Sequence, residues 1–262
     1  MSSQKPTAIL IIHGAFFLPS SWQPLINALT QSQQYTVRCP HLPSCGDERS
    51  PKATRDDDIA AVRTAAQELI NEGHKILVLA HSYGGIVACE AITEDLYAQS
   101  HTNHKGNGIV SLLLLSAWLI QPGHTFEDVI TKYGLPGEVD VGSNGDGTIF
   151  ARNAPASFYN DIDDPVVAGE LAKENVTHNW VAGPGKINGA PWMDLPTMYV
   201  FCKRDLAILL PLQRCMVQDA LDAGGKGRGR FVTEEIDSGH CPFLSMPWEV
   251  VRVVNKAKCE FD

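Results

Sequence analysis

The sequence predicts an α/β fold: a mostly parallel central sheet with helices on both faces and an inserted lid. Three observations carry that prediction. Short runs rich in Ile, Leu and Val alternate with helix-like stretches over residues 8–118, the alternation stops over 119–195, and it resumes from 196 onward. The expected organisation is therefore a core made of residues 1–118 and 196–262, with 119–195 inserted over it as the lid. A chain of 262 residues, 44% hydrophobic and 19% charged, suffices for one large catalytic domain with a sizeable interior.

Each element has its own local cause. Residues 8–12 form an apolar strand that runs into the glycine turn His13-Gly14-Ala15, and residues 19–29 place Trp22, Leu25, Ile26 and Leu29 on one helical face. Residues 35–39 read as a second strand, followed by a proline- and glycine-rich loop over 40–51. Thr54 and the acids Asp56, Asp57 and Asp58 suit the first turn of a helix reaching about Asn71, because carboxylates are favoured at a helix amino end. Residues 76–80 form a strand that breaks at Ser82, and Gly84-Gly85 opens a helix running to about Tyr97. A polar loop with His101 and His104 precedes the strand at 109–115. That histidine pair lacks a third ligand at suitable spacing, so no metal site is expected.

Residues 119–195 are rich in Gly, Pro and Asn, with short helical pieces such as 165–174. Their aromatics, Phe126, Phe150, Phe158, Tyr159, Trp180 and Trp192, are expected to divide between packing the lid and lining a pocket. The sheet pattern returns with a strand at 197–202, a helix at 211–223, a strand at 231–236 and a closing helix at 247–258.

Composition narrows the function. A net charge of -9 disfavours nucleic acid as a partner, and the short basic cluster at 226–230 reads as a solvated turn. The seven scattered cysteines offer no Cys-x-x-Cys spacing and read as reduced thiols. The apolar run at 8–12 is too short for a signal segment, and no stretch approaches the roughly 20 apolar residues needed to span a membrane. Cytoplasmic residence without membrane attachment is the simplest expectation. Oligomeric state stays open, a homodimer included.

The chemistry centres on residues 80–84, a Gly-x-Ser-x-Gly pattern with Ala80 in the first position. A serine on a strand-turn-helix junction has its hydroxyl lifted out at the carboxyl edge of the sheet, in front of a helix amino end. Serine needs a base and a group to orient that base. Ser82, Asp205 and His240 each follow a predicted strand, which places them at one edge of a parallel sheet in the order Ser, Asp, His. Ser116-Ala117-Trp118, after the strand at 109–115, offers no competing acid, and Asp237 reads as a local turn or partner residue. The backbone amides of Ala15 and Tyr83 are placed to form an oxyanion hole, Gly14 allowing the close approach. Phe16, His81, Tyr83 and Trp118 are expected around the acyl site, with Tyr159 and Trp192 as further substrate contacts from the lid.

These stretches resemble the α/β-hydrolase-fold serine hydrolases, and within them the methylesterase and hydroxynitrile-lyase branch. The matching residues are Ile11-Ile12-His13-Gly14-Ala15 with Trp22, Ala80-His81-Ser82-Tyr83-Gly84-Gly85, Val200-Phe201-Cys202-Lys203-Arg204-Asp205 with Gln213-Arg214, and Ser238-Gly239-His240. The resemblance implies a Ser82–His240–Asp205 triad, an oxyanion hole at Ala15 and Tyr83, and no cofactor or metal. The lyases of that branch carry threonine at the position of Gly14 and lysine at that of Cys241, so cyanohydrin cleavage is disfavoured. A serine in place of an aspartate nucleophile disfavours epoxide and haloalkane hydrolysis. The lid does not follow the plant methylesterases residue by residue. The expected function is hydrolysis of a carboxylic ester, lactone or thioester of a small, partly apolar molecule through an acyl-serine. A non-hydrolytic lyase or cyclase, or a slow-turnover ligand receptor, would use the same pocket.

Overall fold

The computed structural model describes residues 5–31, 35–46, 53–99, 106–137, 139–224 and 230–261. His101 and His104 of their predicted loop, the end of the loop at 40–51, and all of the basic cluster except Arg230 lie outside the described residues.

In chain order the elements are β1 (Thr7–Ile12), α1 (Gln23–Gln31, entered through a 3₁₀ turn at Pro19–Trp22), β2 (Tyr35–Arg38), α2 (Arg55–Asn71), β3 (Lys75–Ser82), α3 (Gly84–Ala91) and β4 (Gly108–Ala117). Next come α4 (Phe126–Tyr133), β5 (Val141–Ser143), β6 (Thr148–Ala151), α5 (Ala154–Ser157), α6 (Pro165–Lys173) and β7 (His178–Asn179). The chain then returns through β8 (Thr197–Cys202), α7 (Leu210–Asp222), β9 (Phe231–Ile236), α8 (Pro242–Ser245) and α9 (Pro247–Phe261). The six-stranded sheet has the order β2-β1-β3-β4-β8-β9, and every described pairing in it is parallel.

The sheet is buried on both faces, which is why its strands read as continuous apolar runs and not as alternating ones. Ile76, Val78 and Ala80 of β3 share one interior with α2, α3 and α7, through residues such as Val62, Leu69, Val87, Leu212 and Met216. Leu77 and Leu79 point to the opposite interior, built with α1 and α9 from Leu25, Leu29, Val250 and Val254. The successive side chains of one strand thus hold two layers of helices, as the two-residue period of a strand requires.

Two expectations need correction. The helix after Ser82 ends at Ala91 and not near Tyr97, because Ile92 takes an extended conformation and a separate 3₁₀ turn follows at Glu94–Leu96. The second correction concerns the region between β4 and β8, which holds more than short helices. Its glycine-loaded stretch becomes the β5–β6 hairpin, with Gly145 and Gly147 at positive φ, and β7 completes an antiparallel three-stranded sheet. Strands of two to four residues carry too little periodicity to be read from sequence. Among the described residues no helix is long and apolar enough to cross a membrane, and all seven cysteines are free.

Candidate active site

Ser82 ends β3 with φ of +52, in the left-handed region that costs a non-glycine residue about 1–3 kcal/mol. The register between β3 and β4 slips between His81 and Ser82, so the chain leaves the ladder there, and the Ser82 carbonyl accepts from the Trp118 amide at 3.1 Å. α3 begins two residues later. A methyl group at Gly84 would overlap the Ile12 carbonyl oxygen, so glycine lets α3 start against the end of β1. A methyl at Gly14 would lie 2.9 Å from Ser82 Cβ, which measures how closely the β1 turn approaches the serine.

That turn is held by His13. Its Nε2 accepts the Leu42 amide at 3.1 Å, so the proton is on Nδ1, which donates to the Gly14 carbonyl at 2.9 Å. Burial pulls the His13 imidazole down to about 4, keeping it neutral for this double role.

Asp205 and His240 come from the loops after β8 and β9. His240 Nδ1 donates to Asp205 Oδ2 at 2.8 Å, with both side chains almost wholly buried. Asp205 Oδ1 accepts from the amides of Ala207 at 2.7 Å and Ile208 at 2.9 Å, which locks the carboxylate plane. Gln213 on α7 fastens the same loop, accepting from the Cys202 amide at 3.1 Å and donating to the Ile208 carbonyl at 2.6 Å. Asp237 pairs with Lys203 and Arg204 at the surface, the local role expected of it.

Three residues of the site escape the sequence reading. Ser116, at the end of β4, donates its hydroxyl to Asp205 Oδ2, the oxygen that also receives His240. Its signal was its place at a strand end of the same sheet edge, where only acids were sought. Asp58 lies in the first turn of α2, as expected, but has a further role: Asp57 closes the α2 cap by accepting the Thr54 amide at 2.7 Å, while Asp58 is fully buried. Its carboxylate accepts from the Ser44 amide (2.9 Å), the Ser44 hydroxyl (2.6 Å) and the Tyr83 hydroxyl (2.7 Å). Burial pushes the Asp58 carboxyl and the Tyr83 phenol up. The third is His178 of β7, whose neighbours in sequence offer no pattern; its ring lies over Tyr83 at 4.7 Å between centroids.

Ala15, Phe16, Ser82, Tyr83, Trp118 and His240 share a cavity of about 320 Å³, whose wall is mainly aromatic and aliphatic and, among the described residues, contains no Asp, Glu, Lys or Arg. From the segment between β4 and β8, Phe126, Phe158 and Trp180 join them, so its aromatics do divide between pocket and interior. His81, Tyr159 and Trp192 are not part of that wall. His81 is fully buried behind the site, where Nε2 donates to the His240 carbonyl at 2.9 Å and the ring packs on Trp22, Phe243 and His240. Tyr159 turns its hydroxyl to Asn175 at 3.0 Å, and Trp192 is buried in the core on the α2, α3 and α7 side. Large apolar rings satisfy a pocket and an interior equally well, so residue type alone does not separate these outcomes.

The family profile described as the alpha/beta hydrolase family matches residues 9–253. Alpha/beta hydrolase nvfD of Aspergillus novofumigatus is 28% identical over 262 residues, covering 98% of each chain. Among solved structures, polyneuridine aldehyde esterase superposes with a TM-score of 0.70 at 19% identity, covering 97% of this chain and 100% of that one. The methylesterase MES16 from Arabidopsis gives 0.68 at 18% identity, with 97% and 99% covered. These similarities show a common fold.

Proposed function

The chain belongs to the alpha/beta hydrolase family, and on that premise we propose that it is a serine hydrolase cleaving a carboxylic ester, lactone or thioester of a small, uncharged and largely apolar molecule. The observation that carries this reading is the buried His240–Asp205 pair at 2.8 Å, with His240 in the wall of the same cavity as Ser82. Ser82 Oγ attacks the carbonyl carbon and its proton passes to His240 Nε2. His240 Nδ1–H stays bonded to Asp205, which remains a carboxylate and stabilises the imidazolium. The amides of Ala15 and Tyr83 meet the oxyanion, each such donor supplying about 2.7–4 kcal/mol to the transition state. Collapse of the tetrahedral intermediate expels the alcohol or thiol, which takes the proton from His240. Water, deprotonated by His240, then attacks the acyl-serine, releasing the acid and restoring Ser82.

The described residues of the wall carry no charge and so favour a neutral substrate, because an ionised group would lose hydration without gaining a partner among them. In this reading residues 119–195 are the lid, closing the pocket from above and setting which acyl and alcohol groups fit. The test is covalent labelling by a fluorophosphonate probe together with nitrophenyl esters of graded chain length. We expect a single labelled serine, Ser82, and a loss of turnover on the order of 10⁴-fold or more in Ser82→Ala with the fold retained. Full esterase activity in that variant would overturn the assignment.

A further inference from the structure

Among the described residues of the pocket wall, one imidazole has no work assigned to it by the hydrolytic chemistry. Ser82 and His240 are committed to the reaction, and the Tyr83 hydroxyl is held by Asp58 at 2.7 Å. His178 is also in the wall, 3% exposed, and its Nε2 is buried with no hydrogen-bond partner. Phe16 is edge-to-face with the ring at 6.0 Å and Tyr83 is tilted against it at 4.7 Å, and these aromatic rings offer the imidazole no strong acceptor.

The backbone beneath this ring is tied down on both sides. His178 pairs with Ile149 of β6 and bridges to Cys45, and the Asn179 amide donates to the Ser44 carbonyl at 2.7 Å. β7 is therefore clamped between the small sheet and the loop that carries Ser44, the same residue that supports Asp58 and Tyr83. Burial also pulls the imidazole down to about 3, so at neutral pH it is an uncharged group with one N–H and one lone pair. A buried polar atom left unpaired is costly and in native proteins calls for an explanation. A ligand that supplies the missing hydrogen bond is one.

Resting on the hydrolase reading above, we propose that His178 is a specificity residue that hydrogen-bonds a hydroxyl group of the substrate, placed away from the scissile ester. A hydroxyl both donates and accepts, so it suits either tautomer of a neutral imidazole, whereas a carboxylate or an ammonium group would find no counter-ion among the described residues of the wall. The terminal torsion of histidine is broad, so rotation of the ring brings a nitrogen to a ligand without moving β7. The pocket then selects apolar esters carrying one hydroxyl over the same esters without it, since a buried polar group left unpaired by the wrong ligand penalises that ligand.

The test compares nitrophenyl hydroxyalkanoates, with the hydroxyl moved stepwise along the acyl chain, against the corresponding plain alkanoates. In the natural protein we expect kcat/KM for at least one hydroxyl position to exceed its plain counterpart by about tenfold or more, mainly through KM. In His178→Phe that ratio falls to about one, and in His178→Gln, which can still hydrogen-bond, part of it returns. A natural protein that favours no hydroxyl position, or a preference that survives in His178→Phe, overturns the proposal. If the phenylalanine variant fails to fold, His178→Ala is read by the same ratio. Fluorophosphonate labelling of Ser82 in the natural protein separates the two readings: no label defeats the hydrolase itself, while a normal label with no hydroxyl preference defeats only the role of His178.

Discussion

The parallel sheet and the segment between β4 and β8 solve the problem of order in opposite ways. In the sheet, β1, β3 and β4 are buried on both faces, and consecutive residues such as Leu77, Val78 and Leu79 are no more than 1% exposed. The segment holds its three strands by ladders of two or three residue pairs and leaves Val141, Val166, Val167, Trp180 and Val181 between 44% and 69% exposed. The sheet carries Ser82 and Ser116 at its strand ends and Asp205 and His240 in the loops that follow β8 and β9, where small displacements would be most damaging to the proposed reaction. The segment supplies Phe126, Phe158, His178 and Trp180, which shape the space around the reacting atoms. The difference teaches how the proposed reaction divides its needs: the densely packed layer positions the reacting groups, and the thinly packed layer shapes the space that a substrate would fill.

The strongest challenge to that division is a pair of truncations. Leu79→Ala in the sheet is expected to destabilise the protein by about 2–5 kcal/mol, because the cavity cannot collapse between two packed helical layers. Val166→Ala on α6 is expected to stay within about 0.5 kcal/mol, since 69% of that residue is already exposed. Chemical denaturation of the two variants would show whether the contrast holds; equal losses would erase it.

Ser116→Ala sharpens the comparison at the level of chemistry. A hydrogen bond to a carboxylate is worth about 1.5–3 kcal/mol, and Ser116 shares Asp205 Oδ2 with His240. The variant should lose about 10- to 100-fold in kcat with KM little changed, as befits a group that positions the orienting acid. A change confined to KM would instead place Ser116 among the determinants of substrate fit.

A further effect is in the acid limb of stability. His13, His81 and His178 are held below their ordinary value by burial, so between pH 6.5 and about 4 the unfolded chain binds protons that the native one does not. Stability is therefore fully present above pH 6.5 and falls as the pH is lowered, by at most about 1.4 kcal/mol per pH unit for each histidine. The fall from His13 levels off near pH 4, where the folded form also takes its proton. Denaturant midpoints across this range should show a shallower slope in His178→Phe than in the natural protein; an unchanged slope would mean that His178 is not neutral in the fold.

Much of this was legible in the order of residues. Apolar runs of strand length, amphipathic helices between them and a serine on a glycine-flanked turn are local properties, and they were sufficient to place Ser82, Asp205 and His240 at one sheet edge. The roles of Asp57 and Asp58 were not separable that way, because both satisfy the preference of a helix start and only packing sends one inward to Ser44 and Tyr83. Trp118 and Phe16 reach the pocket while His81, Tyr159 and Trp192 do not, although all are bulky rings predicted to meet substrate.

The sequence by itself determined the layered α/β architecture and the three strand ends beside which Ser82, Asp205 and His240 lie, because periodicity and turn preference act between neighbours in the chain. Only the tertiary structure decided that Ser116 shares the carboxylate of Asp205, that Asp58 holds Tyr83 and that His178 joins the pocket wall. Those contacts join residues 89, 25 and 95 or more positions apart, and which side chains meet at such separations depends on how the layers dock, a property no local pattern encodes.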